Sequence, residues 1–145
     1  TTGPVLSRAE VARATDALRD CQPLHDLTHA THAAGFLRPG QGIVLAREDV
    51  GRHNALNKLI GAMARAGLDA ASGAIVITSR VSVDMVQKAV IAGTGVLVAV
   101  SAPTALAVRT AEAAGLTLVG IARGADFEIF TRPDRITDGV ESDVA

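Results

Sequence analysis

I-V-L-A-R-E-D-V-G-R-H-N-A-L-N-K-L-I-G, residues 43–61, passes from an apolar strand into an amphipathic helix across a run of ionisable groups. The strand is predicted at residues 43–46 and the helix at 52–66. Arg47, Glu48, Asp49, Arg52 and His53 crowd the junction between them. One such junction reads most simply as a solvated helix start. The same punctuation recurs at three later junctions, and strand-to-helix turns are where α/β proteins usually keep a binding site.

Working outward, the pattern alternates. Helices are expected at residues 52–66, 82–92 and 103–114, closed by Gly67, Gly93 and Gly115. Glycine supplies the left-handed backbone that ends a helix. Strands are expected at residues 74–78, 96–100 and 117–122, with a short one at 127–131. They are almost continuously apolar, as when helices cover both faces of a sheet. Upstream, R-P-G-Q-G at residues 38–42 separates runs 31–37 and 43–46 and predicts a hairpin. Ser7-Arg8-Ala9-Glu10 has the form of a capping box. It opens a helix that runs to about Asp20, because Pro23 forces the preceding residue out of helical geometry. The polar tail from Arg132 is expected to fray. These readings divide the chain into an N-terminal helix and linker (1–23), an α/β domain with a mixed sheet (24–131) and a tail (132–145).

Composition narrows the function. The 145 residues fit one domain with a substantial core. A formal charge of -1 removes any general case for electrostatic nucleic-acid binding. With three Phe and no Trp or Tyr, a base-stacking platform is equally unsupported. A single cysteine, Cys21, makes no internal disulfide and agrees with a reducing compartment. No apolar run is long enough to cross a bilayer and no signal peptide opens the chain. The first residue is Thr1 rather than Met, which is read as the mark of a fragment or processed product.

Right-handed crossovers carry the carboxyl ends of parallel strands to one edge of a sheet. Four groups should meet there: Asp49, Arg52, His53 and Asn54; Ser79, Arg80 and Ser82; Ser101, Pro103 and Thr104; Arg123 and Gly124. Three helix N-termini with free amides, several hydroxyls and three arginines suit phosphate or another anion. Ser82, Ser101 and Thr104 each have a simpler reading as helix caps. Three arginines at one edge are harder to explain that way. His53 is expected to face this cleft, contacting ligand or orienting Asp49, with a solvent-facing helix start as the alternative. Lys58 and Lys88 fall inside helices, where a solvated lysine competes with a functional one.

These residues carry a resemblance. R-E-D-V-G-R-H-N-A-L-N-K-L-I-G, then S-R-V-S-V-D-M-V-Q-K-A from Ser79, S-A-P-T-A-L-A-V from Ser101 and G-L-T-L-V-G-I-A-R-G from Gly115 are similar to the formate dehydrogenase accessory protein (FdhD) family. The resemblance implies a three-layer α/β/α, cytidine-deaminase-like fold, often a homodimer, in the cytoplasm. It implies sulfur transfer from a cysteine desulfurase to the molybdenum bis-molybdopterin guanine dinucleotide cofactor of formate dehydrogenase, for which GDP is a partial mimic. It also places a cofactor-binding stretch at Ile121, Ala122, Arg123, Gly124, Ala125 and Asp126. The family's persulfide rides on a C-x-x-C-type loop that these 145 residues do not contain, and Cys21 does not match it. No catalytic residue is therefore expected in this chain, which should bind cofactor without transferring sulfur. The family's T-G-G-x-H appears here as Thr28-His29-Ala30-Thr31-His32, and Asn57 stands where an aspartate is usual.

Two other readings are weighed. Cys21, His25, His29 and His32 are spaced for one helical face, but Pro23 breaks any helix through them, so no metal site is expected. His32 is read as a site-edge or buried, hydrogen-bonded residue. A zinc deaminase needs His-x-Glu and Pro-Cys-x-x-Cys, and neither occurs. What stays open beside the sulfur-delivery reading is a guanine-nucleotide-binding or dimerisation module.

Overall fold

The computed structural model describes residues 6–20, 32–123, 126–132 and 136–137. In chain order these form β1 (Leu6–Ser7), α1 (Arg8–Asp20), β2 (His32–Arg38), β3 (Gly42–Asp49) and α2 (Arg52–Ala66). Then come β4 (Ala74–Ile77), α3 (Val83–Ala92), β5 (Val96–Ala99), α4 (Ala105–Ala114), β6 (Thr117–Arg123), β7 (Asp126–Thr131) and β8 (Ile136–Thr137).

A six-stranded mixed sheet has the order β3-β2-β4-β5-β6-β7. The strands β4, β5 and β6 are parallel, whereas β2 is antiparallel to both β3 and β4, and β7 to β6. Strand β3 therefore points the same way as the parallel set. The β2–β3 pair is the expected hairpin, turned through Gly40 and Gly42 with positive φ. The second strand is longer than the apolar run suggests. Pairing continues through Ala34↔Arg47, Ala33↔Glu48 and His32↔Asp49, so the charged residues 47–49 belong to the strand and only Val50 and Gly51 make the turn. Strand β3 is an edge strand, half open to water, and its charges cost little there.

Side-chain alternation explains the continuous apolar strands. Phe36, Ile75, Ile77, Leu97 and Leu118 face one core with Leu56, Leu59 and Met63 of α2, Met85 and Val86 of α3, and Ala107 of α4. Leu37, Val76, Val98 and Val119 face the other, against Val11, Ala14 and Leu18 of α1. Successive strand residues point to opposite faces, so burial on both requires apolar residues throughout. Helices α2, α3 and α4 thus cover one face and α1 the other, giving three layers. Phe36 is fully buried, a contribution on the order of 2–3 kcal/mol.

Local signals act as the sequence predicts. The Ser7 amide donates to Glu10 Oε1 and the Glu10 amide to Ser7 Oγ, each at 3.1 Å, which closes the capping box. Gly67, Gly93 and Gly115 adopt left-handed conformations and end α2, α3 and α4. Fraying does not begin at Arg132. Its guanidinium donates to the Glu112 carbonyl and pairs with Glu112 Oε2 at 2.7 Å, and Ile136–Thr137 pair in parallel with Leu6–Ser7. No described helix is long and apolar enough to cross a membrane.

Candidate functional site

The carboxyl ends of β3, β4, β5 and β6 open on one edge of the sheet, with the start of β2 among them. His32 opposes Asp49 across the hairpin, and the Thr78 amide donates to the Ala33 carbonyl at 3.1 Å while the Ala33 amide donates to Thr78 Oγ1. The four sequence groups are therefore brought to one edge by their strands.

At β3, Asp49 is held locally. Its Oδ1 accepts from the Gly51 amide at 3.0 Å and its Oδ2 lies 2.7 Å from Lys58 Nζ. The Lys58 hydrogen bond, the Gly51 amide and a weaker Asn54 hydrogen bond hold this carboxyl below its usual range. His53 is not among these partners, so the expectation that it orients Asp49 does not hold; the tight Asp49–Gly51 turn and the reach of Lys58 perform that task. His53 is half-buried on the first turn of α2 and looks towards α3. Burial pushes its pKa down, and Lys88 and Arg52 nearby push the same way, against a smaller opposing effect of Asp84. Arg52 and Asn54 are exposed.

The loops after β4 and β5 are zipped together. Val81 forms a parallel bridge with Pro103, and the Thr104 amide donates to the Val81 carbonyl at 3.0 Å. Helices α3 and α4 consequently start side by side, at 83 and 105 rather than 82 and 103, because Pro103 is drawn into the bridge. Thr104 is a true cap, its Oγ1 accepting from the Ala107 amide at 3.1 Å. Ser82 is not. It occupies the N-cap position of α3 in extended conformation, yet its hydroxyl makes no cap hydrogen bond, and that oxygen is buried with no partner among the described residues. Ser101 donates weakly to the Thr78 carbonyl at 3.5 Å, and its own carbonyl accepts from the Ile121 amide. Arg80 is exposed in the loop that leads into α3.

At the end of β6 the chain is strained. Ile121 has φ 53, the left-handed region a β-branched residue rarely enters, at a bulge between Gly120 and Arg123 in the pairing with β7. Such strain costs of order 1–3 kcal/mol and clusters at functional sites. A Cβ on Gly120 would lie 2.9 Å from Phe130 Cε2, 3.0 Å from Pro103 Cδ and 3.3 Å from the Ser101 carbonyl oxygen. The strained turn is thus pressed against the β5 loop. Ala122, Arg123 and Asp126 continue the strands, with Arg123 opposite Asp126, while Gly124 and Ala125 lie outside the described residues. Cys21, His25 and His29 also lie outside them. Among the described residues no group of three His, Cys, Asp or Glu is placed to hold a metal ion.

Sequence reading passed over two features here. The cross-helix hydrogen bond from Lys88 Nζ to Asn57 Oδ1, at 3.1 Å, joins residues 31 positions apart and has no local signal. The strain at Ile121 has none either, since isoleucine in a strand reads as ordinary.

Residues 2–137 match the FdhD/NarQ family. A sulfur carrier protein FdhD from Brucella melitensis is 60% identical over 130 residues, which are 90% of this chain and 48% of that protein. One from Agrobacterium fabrum is 57% identical, over 88% of this chain and 47% of its own length. The chain spans about half the length of the curated relatives it matches. The crystal structure of a candidate formate dehydrogenase accessory protein from Desulfotalea psychrophila superposes with a TM-score of 0.87 at 30% identity, over 93% of this chain and 58% of that one. The motifs at the strand ends, the matched span and the shared fold agree: this chain belongs to the FdhD/NarQ family.

Proposed function

We propose that this chain is the cofactor-binding part of a cytoplasmic sulfur carrier serving formate dehydrogenase, and that its strand-end edge takes the guanine nucleotide portion of molybdenum bis-molybdopterin guanine dinucleotide. The observation that carries the reading is the pair of helix starts held side by side by the Val81–Pro103 bridge, with the buried Ser82 hydroxyl at the N-cap of α3 lacking a partner among the described residues. A phosphate oxygen is the kind of acceptor that would satisfy such a hydroxyl together with the free amides of α3. Arg52 and Arg80 add charge-assisted donors, His53 stands on the first turn of α2, and Ile121, strained at φ 53, lies at the end of β6. When bound, the cofactor supplies the molybdenum that receives sulfur; the residues of this chain bind and orient the nucleotide. Cysteine desulfurase and formate dehydrogenase would be the donor and client, with a homodimer as the working form.

Calorimetric titration with GDP and with guanosine tests the reading. Phosphate recognition requires GDP to bind clearly more tightly, and equal affinities would remove it. Replacing Arg52 or Arg123 with Ala should weaken GDP binding by about 1.5–3 kcal/mol if a charge-assisted hydrogen bond is lost.

A second reading, a nucleotide-binding or dimerisation module without sulfur transfer, is favoured by one fact: the 145 residues hold a single cysteine. A carrier thiol must be exposed and ionised. Incubation with a cysteine desulfurase and cysteine separates the two. A persulfide on Cys21 that is lost on adding cofactor would make this chain a carrier in its own right.

A further inference from the structure

Across the junction of α2 and α3, two helices that start at the strand-end edge, the Lys88 ammonium is held by a neutral amide. Its Nζ donates to Asn57 Oδ1 at 3.1 Å, and it forms no ion pair with any described carboxylate. Asn57 lies one turn after His53 on α2, and Asp84 one turn before Lys88 on α3, so the four residues cluster where α2 meets α3, with the Lys88–Asn57 hydrogen bond exposed to solvent. The nearest carboxylate on β3, Asp49, is already occupied by Lys58 at 2.7 Å. Arg52 and Arg80 likewise make no ion pair among the described residues. Among the described residues, Arg52, Arg80 and Lys88 are thus cations without an ion pair near the start of α2 and α3, with Asp84 the carboxylate that acts on His53 beside them. A local excess of positive charge beside the half-buried imidazole of His53 is unfavourable in the free protein and is relieved by an anion.

We propose that Lys88 is a further anion-binding residue of this site, held in place by Asn57, and that it provides a phosphate position beside His53. The proposal rests on the reading that the edge takes an anionic nucleotide, and it adds Lys88, which lies within the motif that starts at Ser79, to the expected binding residues. Asn57 acts as the positioning residue: its amide accepts from the ammonium without cancelling its charge, as a carboxylate at the same place would.

The charged groups that act on His53 are Arg52 from its own helix and Lys88 and Asp84 from α3. Binding of an anion at Lys88 should make protonation of His53 easier, which supplies a readout that a merely structural lysine would not move.

The test is calorimetry with pyrophosphate and with GDP on the wild-type chain, K88Q, K88R and N57D, with the His53 ring followed by NMR. The expected result is that K88Q weakens pyrophosphate binding roughly fivefold to tenfold, that N57D does much the same by neutralising the ammonium, and that K88R restores most of it. Pyrophosphate should also raise the pKa of His53 in the wild-type chain and less so in K88Q. Unchanged pyrophosphate affinity in a folded K88Q, or no pyrophosphate binding by the wild-type chain, overturns the proposal. If K88Q does not fold, N57D decides: affinity equal to wild type is then the overturning result. GDP binding lost in R52A but intact in K88Q would sink the Lys88 role and leave the guanine reading standing. Pyrophosphate binding that depends on Lys88, with GDP binding no tighter than pyrophosphate, would do the reverse.

Discussion

Lys58 Nζ lies 2.7 Å from Asp49 Oδ2, an ion pair that ties the second turn of α2 back to the last residue of the strand before it. Together with the Gly51 amide on Asp49 Oδ1, it holds the strand-to-helix turn in one shape. Arg52, His53 and Asn54 follow immediately, so their positions at the cleft depend on this clasp. The candidate site is built on a rigid corner and not on a free loop.

The clasp should be visible in acid. The folded-state pKa of Asp49 is lowered, so its contribution to stability is present above the unfolded value near 3.8 and is lost as pH falls through the lowered folded value. Thermal melts between pH 2 and 7 should show this loss, and D49N should flatten that part of the curve. An unchanged acid limb in D49N would argue against the clasp.

His53 contributes with the same sign at higher pH. Its folded pKa lies below 6.5, so between that lowered value and about 6.5 the unfolded chain binds more protons and stability rises with pH. Above this window the contribution is flat. H53Q should remove the slope, and a wild-type stability that rises as pH drops from 6.5 would show that His53 is protonated more readily in the fold.

Ser82 and Thr104 occupy equivalent helix starts and should respond oppositely. T104A removes a real cap and should cost about 1 kcal/mol. S82A removes a buried hydroxyl that has no partner among the described residues, so stability should hold or rise by about 0.5–1 kcal/mol while GDP binding weakens. Chemical denaturation with parallel titration checks both. A large stability loss in S82A would mean that the hydroxyl is satisfied in solution.

Gly120 should not accept a side chain. A Cβ there meets the rings of Phe130 and Pro103 and the Ser101 carbonyl, so G120A should cost about 1–3 kcal/mol by overpacking. Because it pushes on the β5 loop and on strained Ile121, it should also weaken nucleotide binding. A G120A variant with wild-type melting temperature would mean that these contacts yield easily.

Much of the architecture was legible from local chemistry. The capping box at Ser7–Glu10, the glycines that end three helices and the turn residues at 38–42 each act within a few residues, so their consequences can be read where they stand. Apolar periodicity marked the strands for the same reason. Boundaries were less legible. The chain at 47–49 stays in a strand because β2 supplies partners there, and Pro103 stays out of α4 because Val81 does.

Neighbouring residues alone were enough to reveal the main helices and the strands of the large sheet, their order and the family, because caps, turns and motifs are local properties, whereas the β1–β8 pair needed residues 130 positions apart. Only the tertiary structure decided which charges are committed and which are not. Asp49 pairs with Lys58, Lys88 leans on Asn57, Ser82 lacks a cap hydrogen bond where Thr104 makes one, and Ile121 is held in a strained conformation. Each of these depends on distances between residues far apart in the chain, set by how three helices and two loops meet at one edge of the sheet, and no local pattern encodes them.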